Sequence, residues 1–248
     1  MLFTELPFLD RFAAAQQAGF SGVEYPFPYA YPVEQLGARL EAARLVQVLL
    51  NLPPGNWEQG ERGIACLPER RNEFQDGVGR GLEYARALGC TMLNCLAGSA
   101  SGIEPARAHE TLVENLRFAA RELAAAGIRL LLEPINTRDM PGFFVCHSEQ
   151  ALALCEAVGS TNLWIQYDIY HMQVMEGDLA RGIVKCWSRI AHFQVADNPG
   201  RHEPGSGEIA YPFLLRRIEQ LGYAGWIGCE YHPRTTTLAG LHWLESFR

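Results

Sequence analysis

The sequence IRLLLEPIN, residues 128–136, runs three leucines directly into Glu133 and then Pro134. Consecutive leucines suit a strand buried on both faces, as in a parallel sheet. A carboxylate at the end of such a strand is costly to bury unless something compensates it. The fold and the function both turn on what Glu133 meets.

Similar apolar runs recur along the chain: GVEYPF (22–27), LVQVLLN (45–51), TMLNCLA (91–97), LWIQYD (163–168), IAHFQVA (190–196) and WIGCE (226–230). Longer segments with helical spacing separate them. In PARAHETLVENLRFAARELAAAG, Leu112, Leu116, Ala119 and Leu123 share one face, and Gly127 stands where a left-handed stop is wanted. Ser148 reads as the N-cap of EQALALCEAV and Gly159 as its stop. Strands alternating with helices imply a parallel sheet covered by helices. No linker or shift in composition divides the chain, so residues 1–248 read as a single domain.

The alternation fits an open doubly wound sheet or a closed TIM-type (β/α)8 barrel. Seven strand-like runs are present, and the first helical segment, PFLDRFAAAQQAGF, begins almost at Met1. A barrel therefore has its first strand missing or truncated, with MLFTE expected to fold extended into the gap. The polar residues decide between the two. RLLLE ends at Glu133, LWIQYD at Asp168, AHFQ at Gln194 and WIGCE at Glu230, each about one strand–helix unit from the last. In an open sheet these groups would spread along about 15 Å, at about 4.8 Å per strand. In a barrel the carboxyl ends of the strands form one ring, where catalytic groups collect. A single acid at a strand end is more often a cap for the next helix. Four oxygen-bearing side chains in the same position on successive strands favour a common centre. Three carboxylates and an amide oxygen would repel one another without a cation, and hard oxygen ligands suit Mg²⁺ or Mn²⁺.

Composition narrows the partners. The chain has 248 residues, 48% hydrophobic and 20% charged, enough for a substantial core. Its net charge of −7 and lack of any Lys/Arg-rich run argue against nucleic acid. No apolar run is long enough to span a membrane. The seven cysteines are odd in number and lack CxxC spacing, which reads as reduced thiols in the cytoplasm. Most read as small buried hydrophobes, Cys95 being the best placed for a catalytic thiol. GVGRG, with Gly77, Gly79 and Gly81, follows no strand and reads as helix packing. GSASG at 98–102 fails the nucleophile-elbow pattern.

The segments LLLEPIN, YDIYHMQ, HFQVADNPGRHEPGSGEI and GCEYHP resemble the hydroxypyruvate isomerase family of xylose isomerase-like barrels. The opening MLFTELPFLDRFAAAQQAGFSGVEYPFPY resembles it too, so the similarity spans essentially the whole chain. The resemblance implies metal ligands at Glu133, Asp168, Gln194 and Glu230, and an acid/base pair at Glu133 and Glu230. It also implies a short strand ahead of MLFTELPF, which this chain lacks. The implied reaction interconverts hydroxypyruvate and tartronate semialdehyde, or a related short oxo or sugar acid, through a cis-enediol. Two carboxylates then serve as base and acid, and the metal as Lewis acid.

Other residues support this reading. His171, three beyond Asp168, is placed to bond a substrate oxygen. His192 shares a strand face with Gln194 and belongs in the layer beneath the metal. Arg201, in a glycine-rich loop expected to close over the substrate, is placed to grip a carboxylate. Its alternative is a solvated surface arginine. Asp197 and Asn198 read as turn formers, and Glu208 as a helix cap. Three other functions stand beside the first: a ketose 3-epimerase on the same barrel, a zinc-dependent nuclease on a related barrel, and a non-catalytic metal- or sugar-acid-binding relative. The gap at the first strand leaves a homo-oligomer open.

Overall fold

The computed structural model describes residues 1–247. Seven strands form one sheet in sequence order, every neighbouring pair parallel. They are β1 (Gly22–Glu24), β2 (Val46–Asn51), β3 (Met92–Cys95), β4 (Arg129–Leu132), β5 (Leu163–Asp168), β6 (Ile190–Val195) and β7 (Ile227–Cys229). Helices follow the strands: α1 (Arg11–Gln17) precedes β1, and α2 (Val33–Ala43), α3 (Arg71–Leu88), α4 (Pro105–Ala125) and α5 (Ser148–Val158) follow β1 to β4. After β5 come α6 (Ile169–Met175) and α7 (Leu179–Cys186), and after β6 comes α8 (Tyr211–Gln220). This is a (β/α)8 barrel short of one strand.

The main core lies between sheet and helices. Leu112, Leu116, Ala119 and Leu123 on α4 are completely buried against it, as their spacing requires. Each leucine contributes roughly 1.5–3 kcal/mol by leaving water. Gly127 and Gly159 adopt φ of 70° and 69°, the left-handed conformation expected of helix stops. Gly81 on α3 packs so closely on the residue after β2 that a Cβ there would lie 2.6 Å from Leu52, whereas a Cβ at Gly79 would meet nothing within 4 Å, so of GVGRG it is Gly81 that serves close packing. Ser148 departs from expectation. It is the first residue of α5, His147 caps the helix with Gln150, and the Ser148 hydroxyl bonds Glu176 instead.

Residues 1–5 form turns and join no ladder among the described residues. Phe3 is buried with φ of 56°, and its N–H donates to Thr237 Oγ1 at 2.7 Å. A left-handed residue cannot continue a strand, so MLFTE does not fold extended into the gap. β1 and β7 face each other across a seam without backbone pairing. The indole of Trp226 packs on Gly22, where a Cβ would lie 3.0 Å from the ring. No described helix is long and apolar enough to cross a membrane.

Candidate active site and metal centre

The inward side chains at the carboxyl ends of the strands form two polar tiers. Asp168 closes β5 and is the direct register partner of Gln194 on β6, which in turn pairs with Gly228 on β7. Glu133 follows β4 directly, and Glu230 follows β7. The upper tier brings Glu133, Asp168 and His171 together, with one ligand atom of each within 4.8 Å of the others. Glu230 joins it through Arg201, whose Nη2 lies 3.0 Å from Glu230 Oε1 and 3.6 Å from Asp168 Oδ2.

Asp168 combines the two readings open to a strand-end acid. Its Oδ1 caps α6, accepting from the N–H groups of Tyr170 (2.8 Å) and His171 (3.3 Å). Its Oδ2 is buried without a hydrogen-bond partner. Glu133 accepts from Asn94 Nδ2 at 3.0 Å through Oε2, while Oε1 faces the imidazole of His171 at 3.9 Å. Burial, then repulsion from Glu230 and Asp168, pushes the Glu133 carboxyl well above the usual carboxylate range. Burial also raises Asp168, with Arg201 opposing. An unpartnered carboxylate oxygen, a second carboxylate strained by like charge and a third beside them are a donor set that fits a hard divalent cation.

His171 lies within reach of the same centre, but its tautomer argues against ligation. Asn136 Oδ1 accepts from the Asp139 N–H at 2.7 Å, so the Asn136 NH₂ must face the other way. It stands 2.6 Å from His171 Nδ1. Nδ1 therefore accepts, and the ring proton is on Nε2, toward the carboxylates. Arg201 Nη2 also approaches Nε2, at 3.4 Å. The opposite tautomer would set two donors 2.6 Å apart at Nδ1, so the shorter contact decides. Burial, then Arg201, pushes His171 down to about 3, and the ring is neutral. A neutral imidazole with a fixed Nε2–H is a donor for a substrate oxygen.

Arg201 is not a solvated surface residue: its side chain is 14% exposed and sits among Glu230, Asp168 and Asp139. Nor is its loop an open flap. Asp197 is fully buried and accepts from three backbone N–H groups, those of Asn198 (2.9 Å), Gly205 (2.8 Å) and Ile209 (3.0 Å). The Asp197 N–H donates to His202 O, and the His232 N–H to Arg201 O. This frame holds Arg201 at φ of 55°. Glu208 caps no helix: it accepts from Gln173 and Asn198, and α8 starts after Ala210.

The lower tier holds Gln194. Its Nε2 donates to Glu24 Oε1 at 2.8 Å, and its Oε1 accepts from Gln166 Nε2 at 2.6 Å. His192, completely buried, lies with Nε2 2.7 Å from Glu24 Oε2, close but not aligned as a hydrogen bond. Gln194 thus stands beside Asp168 with one lone pair of its oxygen already engaged. Cys95 points away from both tiers into the outer core, and burial raises its thiol, so it is no nucleophile.

Sequence reasoning missed Glu24, Asn94, Asn136, Asp139 and Gln166. Glu24 ends β1, but the apolar run GVEYPF continues past it and masks the strand end. Asn94 neighbours Cys95 on the opposite, inward face of β3. Asn136 and Asp139 lie in an irregular loop with no periodicity to mark them.

Residues 12–247 match the family described as xylose isomerase-like TIM barrel. The chain is 53% identical to hydroxypyruvate isomerase of Escherichia coli (strain K12), covering all of this chain and 96% of that protein. It is 48% identical to 2-oxo-tetronate isomerase of Cupriavidus necator, covering 100% of this chain and 95% of that one. Among solved structures it superimposes on a Brucella melitensis protein described as AP endonuclease, family 2, with a TM-score of 0.98 and 46% identity. That match covers 100% of this chain and 96% of the other.

Proposed function

The chain belongs to the hydroxypyruvate isomerase family of xylose isomerase-like TIM barrels, and from that membership we propose that it interconverts hydroxypyruvate and tartronate semialdehyde or a closely related short oxo acid. It is an isomerase. What supports the specific reading is the pair of buried Glu133 after β4 and half-buried Glu230 after β7, with Arg201 bonded to Glu230.

The reaction moves a carbonyl between adjacent carbons. A proton leaves the hydroxymethyl carbon of hydroxypyruvate, a cis-enediol forms, and a proton is delivered to the neighbouring carbon. Glu133 and Glu230 are the base and acid for these transfers. Burial beside Glu230 and Asp168 raises the Glu133 carboxyl, the direction that favours its taking up a proton. His171 Nε2–H donates to a substrate oxygen, and Arg201 receives the substrate carboxylate. A divalent cation, Mg²⁺ or Mn²⁺, held by Glu133, Asp168, Gln194 and Glu230, would supply Lewis-acid polarisation of the carbonyl. His192 supports the lower tier. The seven free thiols support a reducing, cytoplasmic setting.

The test is a direct assay with hydroxypyruvate and with 2-oxo-tetronate, before and after chelation and after adding back Mg²⁺ or Mn²⁺. Turnover of either acid, lost with chelator and restored by metal, supports the reading. No turnover of both by metal-loaded protein rejects it.

A further inference from the structure

We infer that Glu24 is a positioning residue that sets the direction of the Gln194 side-chain amide, and so fixes which atom Gln194 presents to the site. The inference rests on the proposed ligand role of Gln194 only in its last step, the effect on metal.

Glu24 ends β1, the strand on the open side of the sheet. Its carboxylate crosses the seam and lies over Gly228 of β7. A Cβ at Gly228 would come within 2.1 Å of Glu24 Oε1. Glycine at this position therefore opens a cradle that no other residue leaves room for. Beyond the cradle the carboxylate meets Gln194, the register partner of Gly228.

A carboxylate only accepts hydrogen bonds, whereas an amide has one donor end and one acceptor end. With Glu24 Oε1 at 2.8 Å, Gln194 must turn its NH₂ toward Glu24 and its carbonyl oxygen away. The reverse orientation would press two acceptors together in a site that water does not reset, since Gln194 is 3% exposed. The oxygen then faces Gln166 at 2.6 Å, and only the NH₂ of Gln166 can answer it. Gln166 Oε1 is left buried and unpartnered, a cost accepted at the end of the series. One carboxylate thus orients two amides in sequence. The Gln194 oxygen is turned toward β5, the strand that carries Asp168. His192, beside the other carboxylate oxygen, holds Glu24 from the far side.

Two variants attack this from different sides. Glu24→Met keeps the length and removes both acceptor oxygens. Gly228→Ala leaves Glu24 in the sequence but fills its cradle. The side-chain NH₂ groups of glutamines are followed by ¹H–¹⁵N NMR on metal-free protein, with the Gln194 pair assigned by its loss in Gln194→Glu. In the wild type this pair should be protected from solvent exchange, and in both variants the protection should fall. Mn²⁺ binding, read by electron paramagnetic resonance, should weaken about 10- to 100-fold in both, as for other partners that orient a ligand. Gln194 NH₂ protons that exchange in the wild type as fast as those of exposed glutamines overturn the inference. So does protection unchanged in both variants. Released amides with unaltered Mn²⁺ affinity overturn the link to the metal. A wild type that binds no Mn²⁺ removes the ligand reading of Gln194, while the NMR result still decides the role of Glu24. If Glu24→Met does not fold, Gly228→Ala alone carries the test.

Discussion

Asn136 Nδ2 lies 2.6 Å from Nδ1 of His171, and the backbone N–H of Asp139 holds the Asn136 amide in the orientation that makes this contact a donation. The tautomer of a buried histidine is thereby set by an asparagine three residues beyond the Glu133 strand end. Asn136→Asp replaces the donor by an acceptor, so the ring proton should move to Nδ1 and Nε2 should lose its hydrogen. The ¹⁵N shifts of His171 should exchange their pattern, and isomerisation should fall about 10- to 100-fold, the range seen for orienting partners. An unchanged ¹⁵N pattern would show that Asn136 does not control the ring.

Glu133→Gln and Glu230→Gln should each remove nearly all activity while the fold persists. Loss of one acid/base group commonly costs about 10²–10⁴ in rate. Circular dichroism should match the wild type, because neither change alters packing volume. Wild-type turnover by either variant, with metal bound, would remove that residue from the acid/base pair.

Metal should stabilise as well as activate. Asp168 Oδ2 has no hydrogen-bond partner, and Glu133 stands against Glu230 and Asp168. A cation that relieves this repulsion binds the folded state only, and at 100-fold above its Kd it adds about 2.7 kcal/mol. The melting temperature should rise with Mn²⁺ or Mg²⁺ and return on chelation. Full turnover after exhaustive chelation would contradict the metal reading.

Strand ends were legible because burial forces a rule on them. A charge at the end of RLLLE has to be compensated, and the same position repeated on β5, β6 and β7 points to a barrel and to a candidate ring. Glu24 obeys the same rule on β1, yet GVEYPF was too short and too aromatic to mark its end. The direction of the Gln194 amide and the tautomer of His171 depend on partners from other strands and loops, which spacing within one segment cannot encode. The conformation of residues 1–5 is hidden from the sequence for a related reason. MLFTE is compatible with an extended chain, but Phe3 gains burial and a bond to Thr237 only by turning.

Alkaline pH should unfold the protein through its buried thiols. Burial raises Cys66 and Cys90 to about 12 and Cys155 to about 11. A thiol whose folded pKa exceeds its unfolded value contributes stability that is complete below the unfolded pKa, near 8.5–9, and is lost as pH rises toward the folded value. The melting temperature should therefore fall from about pH 9 upward. In the native protein at pH 8, half-exposed Cys146 should react with a thiol reagent before Cys66, Cys90 or Cys95. Rapid labelling of Cys95 in the folded protein would contradict its placement.

Asp197 offers a way to disturb Arg201 without touching it. Its two oxygens accept from the N–H groups of Asn198, Gly205 and Ile209, and these bonds shape the loop that delivers the guanidinium to Glu230 and Asp168. Asp197→Asn keeps the size but replaces one acceptor oxygen by NH₂. Whichever way the new amide turns, at least one backbone N–H then faces a donor. A buried donor left unpaired costs about 1–3 kcal/mol, so the variant should melt lower and the loop should loosen. If Arg201 receives the substrate carboxylate, KM should rise, and kcat should fall with it because the same guanidinium bonds Glu230. A fall in kcat with KM unchanged would instead place Arg201 among the groups that act on the reacting carbons.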